Sequence, residues 1–262
     1  MLLKEGKYIR IFGIILFFLL TVAVPGRAAG EELGSGVEVV VPAKGFTELN
    51  LKTGVCLYRG SGGEPVAVRL ENPPLRLTAF QVTYDQGKQF LTAEERARLE
   101  AENLVATGPA MILTPEEVRL PKGGELTGVP PEAGRLVVTG VFVYHFPEAT
   151  FRGTGGFLLE GAGWWLEGEE LAGNVEEGEF TAGGRLKFRY RDCTGEAETV
   201  VYQREEARLI LKGSPLIRWD GGVLQGGTDT VISYDLASGQ AKVEGATKTR
   251  FYQEQGVHSS GD

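Results

Sequence analysis

Residues 186–191 read Leu-Lys-Phe-Arg-Tyr-Arg, an unbroken alternation of apolar and basic side chains. A period of two marks a half-buried strand, because successive side chains leave a pleated backbone on opposite faces. Leu186, Phe188 and Tyr190 therefore share one face, and Lys187, Arg189 and Arg191 the other. The pattern recurs at 207–212, where Ala207, Leu209 and Leu211 oppose Arg208, Ile210 and Lys212. It returns at 229–235, where Thr230, Ile232 and Tyr234 line up. Residues 136–146, LVVTGVFVYHF, are rich in β-branched and aromatic side chains, the composition of strands. A chain written this way folds mainly as antiparallel β-sheet.

Glycine supplies the punctuation. It fills 38 of 262 positions, about twice the ordinary share of roughly 7%. Gly-Gly pairs start at Gly62, Gly123, Gly155, Gly183, Gly221 and Gly226. No collagen period accompanies them, so they belong in hairpins and bulges, where positive φ is needed. One segment breaks the pattern. Thr92-Ala93-Glu94-Glu95 has the form of a capping box, and 93–104 is rich in good helix formers, which predicts a short helical insertion over 92–104. Residues 77–85, LTAFQVTYD, echo 228–235, TDTVISYD: each is a strand ending in Tyr-Asp before a turn. The echo suggests two related halves with the helical segment between them.

The N-terminus reads as an export signal. Lys4, Lys7 and Arg10 precede a charge-free run from Ile11 to Val24, shorter than the about 20 apolar residues of a bilayer-spanning helix. Small residues at Ala28, Ala29 and Gly30 offer a cleavage zone; an uncleaved inner-membrane anchor is the alternative. The expected organisation is a signal peptide at 1–30, a mobile leader at 31–44, a β domain at 45–252 and a disordered tail at 253–262. Export to an oxidising compartment permits a disulfide between Cys56 and Cys193, with two unpaired buried thiols as the other reading.

Charge and chemistry exclude several classes. With 35 acidic against 27 basic residues the net charge is −8, which argues against a nucleic-acid partner. Only His145 and His258 are present, so a multi-histidine metal site is excluded, and no metal or cofactor is expected. There is no Gly-x-Ser-x-Gly element and no P-loop. Glu167, Glu169, Glu170, Glu176, Glu177 and Glu179 read as a solvated acidic face rather than a catalytic pair. Trp164 and Trp165 read first as packing residues. The expectation is a protein that is not an enzyme.

Residues 196–252 carry a more specific signal. Ala197 and Tyr202 lie in one strand, and Leu209 to Pro215 form an apolar strand ending in Gly-x-Pro. Ile217 to Trp219, the Gly221-Gly222 turn, the strand ending Tyr234-Asp235 and the strand Val243 to Gly245 follow. This succession resembles the OstA/LptA-type domain of lipopolysaccharide transport, whose nearest related form is the membrane-anchored LptC-type component. The resemblance implies an open U-shaped antiparallel β-jellyroll whose apolar interior holds the acyl chains of lipopolysaccharide or a related acylated glycolipid in the periplasm. It also implies joining to other Lpt-type components, or to copies of itself, by edge-strand addition, with Val37–Val41 and 246–252 as the end strands. Leu186, Phe188, Tyr190, Leu209, Leu211, Ile232 and Tyr234 are then the groove lining; read without the resemblance, the same faces describe a closed β core. An exported structural or adhesion module that binds envelope polysaccharide is the competing function.

Overall fold

The computed structural model describes residues 36–71, 74–101, 104–128, 134–174, 177–203, 205–235 and 238–252. Among these residues the chain forms strands and turns only. In order they are β1 (Val37–Val40), β2 (Phe46–Asn50), β3 (Val55–Arg59), β4 (Val66–Glu71), β5 (Pro74–Ala79), β6 (Gln81–Asp85) and β7 (Phe90–Glu100). Then come β8 (Leu104–Leu113), β9 (Glu117–Leu120), β10 (Gly124–Gly128), β11 (Arg135–Val138), β12 (Val141–His145), β13 (Thr150–Gly161) and β14 (Trp164–Asn174). The last are β15 (Glu179–Tyr190), β16 (Cys193–Gln203), β17 (Arg208–Lys212), β18 (Leu216–Trp219), β19 (Gly222–Gly226), β20 (Val231–Asp235), β21 (Ala241–Glu244) and β22 (Thr247–Phe251).

Every pairing between the strands is antiparallel, and together they make two walls. The first wall runs β2-β3-β6, the first half of β7, the second half of β8, then β9-β12. It continues through the outer halves of β13 to β16 and ends at β17-β20-β21. The second wall runs β1-β4-β5, the other halves of β7 and β8, then β10-β11. It continues through the remaining halves of β13 to β16 and ends at β18-β19-β22. The chain weaves from one wall to the other through a line of corners, and the result is the open U-shaped jellyroll.

The corners explain the glycine. Strands that serve both walls bend at bulges: register shifts fall between Glu94 and Ala97, Thr154 and Phe157, Glu167 and Glu170, and Gly183 and Leu186. Opposite the Gly155–Gly156 bulge sits Gly140, whose missing Cβ would collide with the carbonyl of Thr154. Gly155 and Gly156 themselves take φ of 83° and 109°. Hydrogen bonds run along this line as well: Phe80 N–H to Glu95 O at 3.2 Å, Thr139 N–H to Gly156 O at 3.0 Å, and Glu198 N–H to Gly213 O at 3.2 Å. The walls are thus hinged by backbone on one side.

An internal repeat is visible in these corners. β6, β7 and β8 recur 60 residues on as β12, β13 and β14, with Gln81 matched by Val141 and Leu104 by Trp164. Gln89 and Ala149 both have φ of 50°, and the Glu95–Arg96 bulge is matched by Gly155–Gly156. The pairs Ala97–Gly108 and Phe157–Gly168 also correspond. This is a different echo from the one between 77–85 and 228–235, whose Tyr-Asp ends fall on β6 and β20 of the same wall.

The helix expected over 92–104 does not form. β7 occupies 92–100 of it and pairs on both sides, with β6 and β5 on one edge and β8 on the other. Leu91, Ala93, Ala97 and Leu99 are buried, facing the other wall. Helix propensity separates ordinary residues by at most about 0.7 kcal/mol each, whereas burying a leucine is worth about 1.5–3 kcal/mol. A surface helix would have left that apolar face exposed. Thr92, read as a cap, pairs with Thr83 and Ile112.

Two further expectations change. Val37–Val40, placed in the leader by its bounds and also named as a candidate end strand, is β1, laid against β4 with Val37 opposite Leu70. Cys56 and Cys193 are free thiols. Cys56 lies on β3 near one end of the stack and Cys193 on β16 near the other, with β6 to β15 between them, so no intrachain bridge joins them. The segments read as signal peptide (1–30) and tail (253–262) lie outside the described residues. Among those described, no helix is long and apolar enough to cross a membrane.

Candidate apolar groove

Inward side chains of both walls meet along the whole stack. Toward the N-terminal end Val66, Val68, Leu77, Ala79, Val82, Ala93 and Met111 are wholly buried and pack solidly. Farther along the packing opens. A void of about 140 Å³ is lined by Trp164, Phe188, Tyr190 and Cys193 from the second wall and by Phe180, Val200, Tyr202, Leu209, Leu211 and Tyr234 from the first. A second void of about 70 Å³ lies behind it, among Leu99, Leu104, Val118, Phe142, Tyr144 and Leu171. Leu126, Leu136, Leu159 and Phe180 border both, so the two form one apolar path.

The sequence-derived lining is placed as follows. Phe188, Tyr190, Leu209, Leu211 and Tyr234 border the larger void. Leu186 and Ile232, 1% and 0% exposed, belong to the same core but sit away from the void. Trp164 packs against the core and borders the void, as does Tyr202, whose ring lies tilted at 32° to that of Phe180, 5.2 Å between centroids. Neither Phe180 nor Leu159 stands out in the sequence, because bulges interrupt the alternation around them. The readable signal is that alternation restarts beside each Gly-Gly pair, as Phe157 and Leu159 after Gly155–Gly156 and Phe180 and Ala182 before Gly183–Gly184.

Electrostatics agree with an apolar interior. Burial pushes the Tyr234 hydroxyl pKa up, with Tyr190 and Cys193 adding to the rise and Arg191 partly opposing it. The Cys193 thiol is likewise raised, chiefly by burial and then by Asp192 and Asp220. At the opposite end Tyr58 is pushed up to about 12 by burial and by its hydrogen bond with Cys56. Such groups stay neutral at ordinary pH, which suits a wall facing hydrocarbon.

The mouth and the ends differ from the hinge. Across the mouth, the rings of Tyr190 (second wall) and Tyr234 (first wall) meet edge to face, 6.2 Å apart. At the ends, β1 pairs with β4, β2 with β3, β21 with β20 and β22 with β19, and each is the last strand of its wall. Exposed large apolar side chains gather there: Val40, Phe46, Leu49, Leu51, Phe251 and Tyr252, with Val141 the exception.

Comparison with known proteins gives a distant likeness to solved structures. No family model matches the chain, and no curated protein matches it. Among solved structures it is similar to LptH of Pseudomonas aeruginosa, the LptA homologous periplasmic component of the conserved lipopolysaccharide transport device. Identity is 12% and the TM-score 0.21, over 69% of this chain and 96% of that one.

Proposed function

We propose that the protein is an exported, non-enzymatic carrier that shelters the acyl chains of lipopolysaccharide or a related glycolipid between its two walls. The observation that carries this reading is the apolar void between walls that are hinged by backbone along the corners and meet at the mouth through side chains. A lipid crossing water must hide its chains, since each exposed methylene costs about 0.8 kcal/mol. The void in this closed form is close to the about 150 Å³ cavity that accepts a benzene-sized guest, well short of the roughly 300–1,000 Å³ of a drug-sized site. Uptake of a full chain therefore parts the walls, and the side-chain contacts at the mouth make that the less costly side to open. End strands with one edge open among the described residues, and exposed apolar side chains beside them, support stacking on copies of the chain or on other Lpt-type components by strand addition.

The test is mass spectrometry of the protein purified gently from its native envelope, followed by organic extraction. A stoichiometric acylated glycolipid is the expected result. A lipid-free protein that also refuses added lipid would overturn the carrier reading. It would favour an exported structural or adhesion module, a reading to which the solid packing around Val68, Leu77 and Met111 lends weight.

A further inference from the structure

We propose that the apolar path is blind. An acyl tail enters it from the C-terminal side of the stack, its tip rests against Leu99 and Leu120, and lipid does not pass on between the walls to the N-terminal end. This deepens the carrier reading and rests on it. The lining of both voids stays partly open to solvent, through Tyr190, Leu209 and Tyr234 at the larger and Leu104 and Val118 at the smaller. Leu99 and Leu120 border the smaller void but are themselves buried, and they form its floor. Past them the space between the walls is taken. Val82 and Met111 of the first wall and Val66, Val68, Leu77 and Ala79 of the second are all 0% exposed, and none of the six borders either void.

The internal repeat shows why one section closes and the next does not. Val82 is matched by Phe142, Leu91 by Phe151 and Ala97 by Phe157. The rings of Phe142 and Phe151 lie 6.4 Å apart on the first wall, and both border the smaller void. Glycines seat the rings. A Cβ on Gly173, the match of Leu113, would collide with Phe151, and one on Gly168 would collide with Phe157. Rigid rings need room between the walls and leave gaps that their flat shapes do not fill. In the earlier unit valine, leucine and alanine let the walls close, and the flexible Met111 fills what remains. A chain can part the walls at the edge-to-face contact of Tyr190 and Tyr234. Parting them around Leu77 and Met111 would expose wholly buried side chains on both faces.

The experiment loads the full chain with dodecanoic, hexadecanoic and docosanoic acids that carry a diazirine on the terminal carbon, irradiates each complex and maps the adducts by mass spectrometry. The label is expected to advance with tail length from Val200 and Leu209 toward Leu104 and Val118, and to stop there, with no adduct on residues 66–82. The Ala106→Leu variant fills the smaller void, as Leu166 does at the matching position, and is expected to hold the label at the larger void for all three acids. Adducts on Val68, Leu77 or Val82 from any acid overturn the blind end and leave the carrier reading standing. A label that fails to advance in that direction with length, or that the folded Ala106→Leu variant does not hold back, overturns it as well. Failure of all three acids to label the interior overturns path and carrier together.

Discussion

Tyr190 and Tyr234 come from opposite walls and meet edge to face across the mouth of the groove, 6.2 Å between ring centroids. Each is the partner of a void-lining residue along its own wall: Tyr190 lies opposite Trp164, and Tyr234 opposite Leu209. On the carrier reading, this pair is the latch that faces the backbone hinge. A double-mutant cycle with Tyr190→Ala and Tyr234→Ala is expected to give a coupling of about 0.5–1.5 kcal/mol in urea unfolding. Either single variant should also take up a fluorescent acyl probe faster than the unaltered protein in stopped flow. Additive stabilities with unchanged uptake rates would show that the rings merely lie near one another.

Filling the void should separate binding from folding. Leu209 is half-buried at the edge of the larger void, so Leu209→Trp adds volume there without placing a charge in the core. Overpacking costs about 1–3 kcal/mol, which the fold should survive. The expected outcome is an unchanged strand signal in circular dichroism and at least about tenfold weaker binding of an acyl ligand, equivalent to roughly 1.4 kcal/mol. Undiminished binding would place the chain site elsewhere.

Strand class and face were legible in the sequence where alternation runs unbroken, as from Leu186 to Tyr190 and from Thr230 to Tyr234. Legibility failed at the corners. Between Glu94 and Ala97 the bulge carries Glu95 and Arg96 rather than glycine, so nothing in the local pattern announced a bend, and good helix formers with a cap-like Thr92 read as a helix. Where the equivalent bulge is Gly155–Gly156, the strand was harder to mistake. The pairing of walls was not legible at all. That Tyr190 reaches Tyr234 depends on which half of each bent strand joins which wall, a property of the corners taken together. The cysteines illustrate the same limit, since spacing says nothing about how many strands separate Cys56 from Cys193.

Interrupting the ends should prevent association. Leu49 is 53% exposed on β2, and Phe251 is 76% exposed on β22. Leu49→Lys adds a charge to one edge and Phe251→Glu to the other, a common protection of natural edge strands. Light scattering at rising protein concentration should show end-to-end oligomers for the unaltered chain and a monomer for the double variant. Both side chains are largely exposed, so unfolding should weaken by no more than the about 0.5–1.5 kcal/mol of the Trp219–Phe251 edge contact. A monomer at every concentration without any substitution would remove the stacking proposal.

Alkaline pH should loosen the fold from the N-terminal end. Tyr58 ionises at about 12 in the folded protein against 10.0 for a free phenol, and Tyr84 beside it is also raised, chiefly by burial. A raised folded-state pKa means that the unfolded chain releases its proton first. The associated stability is therefore complete below pH ~10 and declines as pH climbs toward 12. Urea midpoints are expected to fall across that window, and Tyr58→Phe, which has no proton to lose, should flatten the decline. A decline of equal slope in Tyr58→Phe would assign the effect to other groups.

The strained bulge offers a stabilising substitution. Glu95 and Arg96 hold φ of 62° and 64°, a region that costs a non-glycine residue roughly 1–2 kcal/mol. The repeat-related Gly155 and Gly156 occupy the same kind of bend without that cost. Arg96 is partly compensated, because its guanidinium lies 5.9 Å from the centroid of the Phe80 ring. Glu95 is exposed, and its carbonyl accepts the Phe80 N–H at 3.2 Å, a bond that any residue at that position preserves. Glycine gains freedom in the unfolded chain, which offsets about 0.5–1 kcal/mol of the relief. Glu95→Gly should therefore stabilise the protein by about 0.5–1 kcal/mol in urea unfolding, and Arg96→Gly by less. If Glu95→Gly instead lowered the midpoint, the bend would have to draw its stability from the glutamate side chain, and the correspondence with Gly155 would be one of shape alone.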